Sequence, residues 1–382
     1  MRDLMMALGS RGITSIALVH RHERSLRATS ESIRIGRRDF QVLRTGTWLT
    51  LLFTPISPAF PWHLHRLIAK TEPAILHLHL PNPSAFWGLL MPSARRRPWV
   101  VHWHSDVISE AQGWPMRLMY VLYRPFERAV LRRAAAIVAT SARYRDSSKP
   151  LRPFLAKCRV VPLGLDAGRF PAEAGAETGR RSLVVNARST GLRVLAVGRL
   201  TYYKGFEHLI RAVAATNDVQ LDLVGEGDRA ESLLRLVESE GLQHRVTFHG
   251  AVDEGKLARL LAGCDCLCLP SIERTEAFGM VLLEAMCFGK ATVVADVPGS
   301  GMGWIVEHGV TGLRVPPANP GALADAFEQL AADHAALHAM GCRGRERFAS
   351  IFEINHAAQG IVDTYRAVLD GQNRIDEMDQ SD

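Results

Sequence analysis

Long apolar runs are what this 382-residue chain has least of. A membrane-spanning helix needs about 20 predominantly apolar residues. The richest stretch, Trp48 to Trp62, is shorter than that and is broken by Pro55, Pro58 and Pro61. The start, Met1-Arg2-Asp3-Leu4, lacks the apolar segment and cleavage site of a secretory signal. Both absences predict a cytoplasmic protein. Cysteine is sparse too: six in a chain this long do not make a disulfide framework, and a reducing compartment predicts free thiols. Cys264, Cys266 and Cys268 alternate along an apolar run, so a strand would put all three on one face as buried core thiols. A metal site would need further ligands that the neighbouring sequence does not offer.

Acidic residues are scarce in one half only. Residues 1–160 hold 9 Asp and Glu against 25 Lys and Arg, the remainder 30 against 21, so the net charge of +7 divides into +16 and −9. A basic first half attracts phosphate-rich partners. No helix-turn-helix, finger or RNA-binding signature accompanies it, which argues against nucleic acid. Basic residues instead interleave with apolar and aromatic ones, as in Arg95-Arg96-Arg97-Pro98-Trp99 and around Trp48-Leu49-Thr50-Leu51-Leu52-Phe53. That pattern predicts a peripheral protein on an anionic membrane surface, at its inner face.

What is present is the balance of a globular protein, with 47% hydrophobic and 22% charged residues, in a chain long enough for two domains. Short β-branched and aliphatic runs alternate with helical stretches. Ile13 to His20, Ala74 to Leu80, Trp99 to His104 and Ala136 to Thr140 read as strands of the first half. Leu192 to Gly198, Val219 to Gly225, Arg245 to Gly250, Cys264 to Leu269, Ala291 to Asp296 and Gly312 to Val315 read as strands of the second. The alternation predicts an α/β protein of parallel, doubly wound sheets covered by helices. The expected boundaries are a first domain over 1–165, a linker over 166–186, a second domain over 187–350, a last helix over 351–372 packing back on the first domain, and a disordered tail over 373–382. Ligands of such sheets bind beyond the carboxyl ends of the strands, so two domains of this kind would hold their site in a cleft between them.

The chemistry concentrates in the second half. Val194-Leu195-Ala196-Val197-Gly198 runs into Arg199, with Lys204 five residues later at the mouth of the next helix. An Arg fork and a Lys point charge there can clamp a diphosphate, although two solvated loop cations fit this segment alone equally well. Further on, a strand ends at Pro270, a polar loop carries Glu276, and an amphipathic helix begins near Gly279. Glycine admits a ligand close to the backbone, and the free N–H groups of a helix start favour phosphate. Glu284 follows Glu276 by eight positions, roughly 80° around a helix axis, so the two carboxylates can address different hydroxyl pairs. Its apolar neighbours predict that Glu284 faces something packed.

The Gly198-Arg199-Leu200 … Lys204-Gly205 and Glu276-Ala277-Phe278-Gly279 … Glu284-Ala285-Met286 elements resemble the signature of retaining glycosyltransferase family 4. The similarity extends through Val224-Gly225-Glu226-Gly227-Asp228, Asp296-Val297-Pro298-Gly299-Ser300-Gly301 and Gly309-Val310-Thr311-Gly312-Leu313. The resemblance implies the GT-B architecture, with two Rossmann-like domains facing across a cleft. It implies a nucleotide-diphosphate sugar as donor, with Arg199 and Lys204 on the diphosphate, Glu276 on the transferred sugar and Glu284 on the ribose. Ala277, Phe278, Gly279 and Met280 would line the donor site. Front-face transfer follows, without a protein nucleophile; no paired-aspartate motif stands where a metal-dependent transferase needs one, so no metal and no separate cofactor are expected.

The first half is similar to the family more loosely, through Leu76-His77-Leu78-His79-Leu80-Pro81-Asn82 and Val101-His102-Trp103-His104-Ser105-Asp106. His102 and His104 would share a strand face. One reading is a metal site with Asp106; the other, which the resemblance favours, puts His104 beside the reacting sugar and leaves His77, His79 and His102 as satisfied structural histidines. Met1 to Gly12 resembles the helix that normally follows the family's opening strand and glycine-rich loop, which implies a first domain without its first strand. Gly299-Ser300-Gly301-Met302-Gly303-Trp304 resembles members acting in O-antigen or capsule assembly, some of them mannosyltransferases. The expected acceptor is therefore a lipid-linked saccharide and the preferred donor GDP-mannose. The alternatives are a catalytically impaired nucleotide-sugar-binding subunit and a sugar-nucleotide epimerase on the same architecture.

Overall fold

The computed structural model describes residues 1–25, 27–35, 38–51, 54–107, 114–170 and 191–379. The chain divides into two units, Met1–Pro162 with Ile354–Asp382, and Leu163–Glu353. The first runs α1 (Arg2–Ser10), β1 (Ile16–Arg24), β2 (Thr29–Ile35), β3 (Arg38–Thr47), β4 (Leu49–Leu51), β5 (Thr54–Ile56), α2 (Phe60–Thr71) and β6 (Leu76–Leu80). It continues through α3 (Trp87–Leu90), α4 (Pro92–Arg95), β7 (Trp99–Trp103), α5 (Trp114–Arg133), β8 (Ala136–Ala139), α6 (Ala142–Ser147) and β9 (Cys158–Val160).

In this unit β6, β7, β8 and β9 form a parallel four-stranded sheet, while β1, β3 and β2 form a separate sheet in which β2 and β3 are antiparallel. The sequence predicted parallel pairing throughout. Two residues separate β2 from β3, and so short a connection permits only a hairpin. Neither β2 nor β3 was legible beforehand, because segments such as Thr29-Ser30-Glu31-Ser32 carry no apolar run. Behind the four-stranded sheet, Leu8 of α1 shares a core with Val100, Val138 and Val161.

The second unit runs β10 (Leu192–Val197), α7 (Phe206–Ala214), β11 (Val219–Val224), α8 (Ala230–Ser239), β12 (Val246–Gly250), α9 (Glu254–Gly263) and β13 (Cys266–Leu269). It ends with α10 (Met280–Cys287), β14 (Ala291–Ala295), α11 (Met302–Ile305), β15 (Gly312–Val315), α12 (Pro320–Ala332) and α13 (His334–Arg347). Its strands make one wholly parallel sheet in the order β12-β11-β10-β13-β14-β15. Alternate residues of β10 feed opposite faces: Leu192, Val194 and Ala196 join the core under α7 and α12, while Leu195 joins the core under α10. Each buried Leu or Val among them contributes about 1.5–3 kcal/mol.

Three expectations change. Cys266 and Cys268 lie on one face of β13, but Cys264 caps the end of α9, donates to the Leu261 carbonyl at 3.3 Å and packs in the opposite core. The helix α10 is buried nearly all round rather than amphipathic, because β13, β14 and α13 pack against it. The last helix, α14 (Ile354–Asp379), joins the core of the first unit through Ala358, Ile361 and Val362 and continues past the point where the tail was expected to disorder. No Gly-Pro signal stands between Asn373 and Asp379 to stop it. Most of the expected linker, 171–186, lies outside the described residues, as do 380–382 of the tail.

Candidate active site

In the second unit the strand order reverses between β10 and β13, which lie side by side with Val194 opposite Cys266 and Leu195 opposite Leu267. Helices leave such a pair toward opposite faces, so the loops beyond their carboxyl ends part and leave room for a ligand. Those two loops carry the residues singled out from sequence. After β10 come Gly198, the exposed Arg199 and a short 3₁₀ turn, Tyr202–Lys204; after β13 come Pro270, Ser271 and Glu276.

The loops are drawn together by backbone contact. Ile272 N–H donates to the Tyr203 carbonyl at 2.8 Å. Gly205, at φ +67°, makes this approach possible: a Cβ there would lie 2.3 Å from the Pro270 carbonyl oxygen. The result is a contact between Lys204 Nζ and Glu276 Oε2 at 2.5 Å, with both side chains about one-eighth exposed. Ser271 Oγ donates to the same carboxylate oxygen at 3.3 Å.

A third loop braces the second. Ser300, fully buried beyond β14, donates its hydroxyl to the Glu276 carbonyl at 2.5 Å, and Gly301 N–H donates to the Ala277 carbonyl at 2.8 Å. Ala277 and Phe278 are buried, Phe278 against Phe352, so they offer the site backbone rather than side chain. Gly279 then starts α10 at φ +91°, where a Cβ would lie 2.8 Å from Leu269 Cδ2. No side chain caps this helix start, which leaves the first N–H groups of α10, beginning at Met280, open to an anion.

Glu284 sits one turn into α10 with its side chain 12% exposed. Burial pushes its carboxyl up to about 7, against the opposing pull of Arg169, whose Nη1 lies 3.9 Å away. Arg169 also donates to Glu254 at 2.6 Å and lies over the Phe170 ring. Sequence reasoning missed Arg169, Ser271 and Ser300. The two serines carry no motif of their own, and Arg169 stands far from Glu284 along the chain. Arg199 is exposed, and its guanidinium has no partner among the described residues.

His104 belongs to the first unit, directly after β7. Its Nε2 shares a hydrogen bond of 2.8 Å with His79 Nδ1, and its N–H donates to the Leu80 carbonyl at 2.9 Å. Register places His77, His79, His102 and His104 on one sheet face, since His79 is opposite His102. Their rings form a stack with centroids 4.5–5.4 Å apart and planes within 16° of parallel. Burial lowers all four, His77 and His104 to about 4, with the neighbouring rings or the amino terminus adding to the effect, so the stack is neutral at pH 7.

The structure corrects two readings of these histidines. Asp106 does not join them: its Oδ1 accepts from Trp103 Nε1 at 3.0 Å and from Ser148 Oγ at 2.7 Å. His77, His79 and His102 are the group whose ligand atoms come within 4.8 Å of one another. Their three rings are stacked, with planes within 16° of parallel. Nor are all of them satisfied. His77 Nδ1 bonds Tyr365 at 2.6 Å, but both ring nitrogens of His102 are buried without a partner among the described residues.

Residues 1–164 match the family model described as glycosyl transferase 4-like domain, and residues 184–347 match that of glycosyl transferases group 1. The D-rhamnosyltransferase WbpZ of Pseudomonas aeruginosa is 31% identical over 319 residues, covering 83% of this chain and 77% of that protein. The O-antigen chain mannosyltransferase C of Escherichia coli is 29% identical over 305 residues, covering 80% and 78%. Among solved structures, sucrose-phosphate synthase from Thermosynechococcus elongatus superposes with a TM-score of 0.74 at 25% identity, over 97% of this chain and 92% of that one. With Rossmann-like parallel sheets, a basic and acidic pair at the switch point, and both halves matched, this chain belongs to the group 1 glycosyltransferases of the family 4 type, with the GT-B fold.

Proposed function

We propose that this glycosyltransferase moves a hexose from a nucleotide-diphosphate sugar, GDP-mannose in preference to UDP-sugars, to a lipid-linked saccharide in surface-polysaccharide assembly. Transfer proceeds with retention, without an essential divalent ion, on a protein held peripherally at the inner face of the membrane. The activities of the two relatives, D-rhamnosyl transfer and O-antigen mannosyl transfer, support the sugar class and the pathway type.

The observation that carries the reading is the Lys204–Glu276 contact beside the uncapped start of α10. In the proposed reaction the bond between the anomeric carbon and the diphosphate oxygen breaks, and charge grows on that oxygen. Lys204, Arg199 and the open N–H groups of α10 stabilise it. The acceptor hydroxyl attacks from the same face and gives its proton to the departing diphosphate. Glu276 holds the hydroxyls of the transferred sugar, and Glu284 those of the ribose. His104, neutral and with Nε2 engaged by His79, keeps Nδ1 for a sugar hydroxyl; it supplies orientation rather than charge.

The test is a panel of nucleotide sugars offered to the full chain. Thermal protection by GDP-mannose above that by UDP-sugars supports the reading. Protection by none of them, or a donor consumed without transfer to any acceptor, counts against it.

A further inference from the structure

We propose that the outward face of α5, built from Leu118, Val121, Leu122 and Pro125, is the surface by which this chain docks on an anionic lipid bilayer. The inference rests on the membrane-associated reading above and gives it a location. Tyr120, Tyr123, Glu127, Val130 and Leu131 fall on the inward side of the helix, where they are buried or half-buried. The residues between them point away from the unit: Val121 is 64% exposed and Leu122 65%. An apolar stripe about two turns long, left in water, is what a helix lying in a headgroup layer presents.

The surroundings of the stripe say which surface it suits. On one flank a groove is lined by Arg124, Arg128 and Arg132; on the other, a groove between α4 and α5 is lined by Arg95, Arg96 and Arg133. Arg133 is fixed there by donating to the Arg95 carbonyl and by lying over the Trp99 ring. Glu127 is the sole acidic residue of α5, and it is buried against Tyr120, so the helix turns no carboxylate outward. The apolar surface also continues past α5: Phe86 stacks on Phe126, and Leu90 of α3 is 70% exposed. Apolar ridge, cationic flanks and absent acid complement lipid chains below a layer of phosphates. A second copy of the chain would set arginines against arginines, and nucleic acid would leave the ridge unused.

The experiment is sedimentation of the full chain with phosphatidylglycerol or phosphatidylcholine vesicles. The variants are Val121→Ser/Leu122→Ser and Arg124→Glu/Arg128→Glu, all at exposed positions that leave the core intact. Wild type is expected to bind phosphatidylglycerol vesicles at least about tenfold better than phosphatidylcholine, with salt weakening the attachment. Each double variant is expected to lose about tenfold of that binding while keeping its thermal shift with a nucleotide sugar. No binding to the anionic vesicles, or binding unchanged in both variants, overturns the proposal. So does a dimer in solution that Val121→Ser/Leu122→Ser converts to monomer. Glu276→Ala separates the two readings, since it is expected to abolish transfer and leave vesicle binding intact; retained transfer in that variant would sink the catalytic assignment without touching α5.

Discussion

Lys204 Nζ and Glu276 Oε2 meet at 2.5 Å although they come from loops after different strands, β10 and β13. Each neutralises the other in the folded chain, and in the proposed reaction each has a separate task. On that proposal a diphosphate draws Lys204 away from Glu276. Glu276→Gln is expected to leave the affinity for the free nucleoside diphosphate unchanged or raise it several-fold, while transfer falls by roughly a hundredfold or more. Calorimetric titration beside a transfer assay checks both. A tenfold loss of diphosphate affinity would show that Glu276 orders the site rather than the sugar.

Glu284 supplies a pH signature. Its carboxyl stands at about 7 because it is buried, above the ordinary value of 4.5. The folded chain therefore binds the extra proton between those values, and the ionised form, which is the one proposed to accept from the ribose hydroxyls, declines below pH 7. Donor affinity is expected to weaken as pH falls from 8 toward 6, and Glu284→Gln is expected to flatten that dependence. A wild-type affinity constant across this range contradicts the assignment.

Gly205 fixes the approach of the two loops. Alanine there would need a positive φ and would place its Cβ 2.3 Å from the Pro270 oxygen. Gly205→Ala is expected to destabilise the second unit by at least about 2 kcal/mol, lowering its Tm by several degrees. Scanning calorimetry with and without donor reads the change.

The histidine stack makes the first unit acid-labile. The folded values of His77 and His104 lie near 4, below the ordinary 6.5, so the unfolded chain binds more protons between those limits. Their contribution is complete above pH 6.5 and is lost as pH falls toward 4, with a slope of up to about 1.4 kcal/mol per pH unit for each ring. His102→Leu removes a buried ring whose nitrogens have no partner among the described residues. That substitution is expected to be neutral or stabilising at pH 7 and to make the acid slope shallower in denaturant titrations. A large loss of stability at pH 7 would mean that His102 has an essential partner.

The second unit was legible because its strands are short, apolar and parallel, and because its ligand-facing residues sit where strand gives way to helix. Lys204, Glu276 and Gly279 stand at that punctuation, but two solvated loop cations fit the Lys204 segment alone equally well. It took the two elements in order, with the family resemblance, to single them out. The partners that hold them could not be found this way. Arg169 reaches Glu284, and Ser300 reaches the Glu276 carbonyl, through tertiary contacts that leave no periodic trace. Cys264 misled because alternation along a run was read as strand when its first position belongs to the end of a helix. In the first unit, β2 and β3 hold together by pairing rather than by an apolar pattern, and the stacking of four histidines depended on a register between β6 and β7 that sequence does not give.

In the proposed reaction Lys204 and Glu276 form the donor end of the sugar-transfer site. The most direct test is transfer from a radiolabelled nucleotide sugar to a membrane lipid extract, by wild type, Lys204→Ala and Glu276→Ala. A labelled lipid-linked product is expected with wild type, and at least about a hundredfold less with either variant, each folded and melting as wild type does. Transfer undiminished in both variants would contradict that assignment.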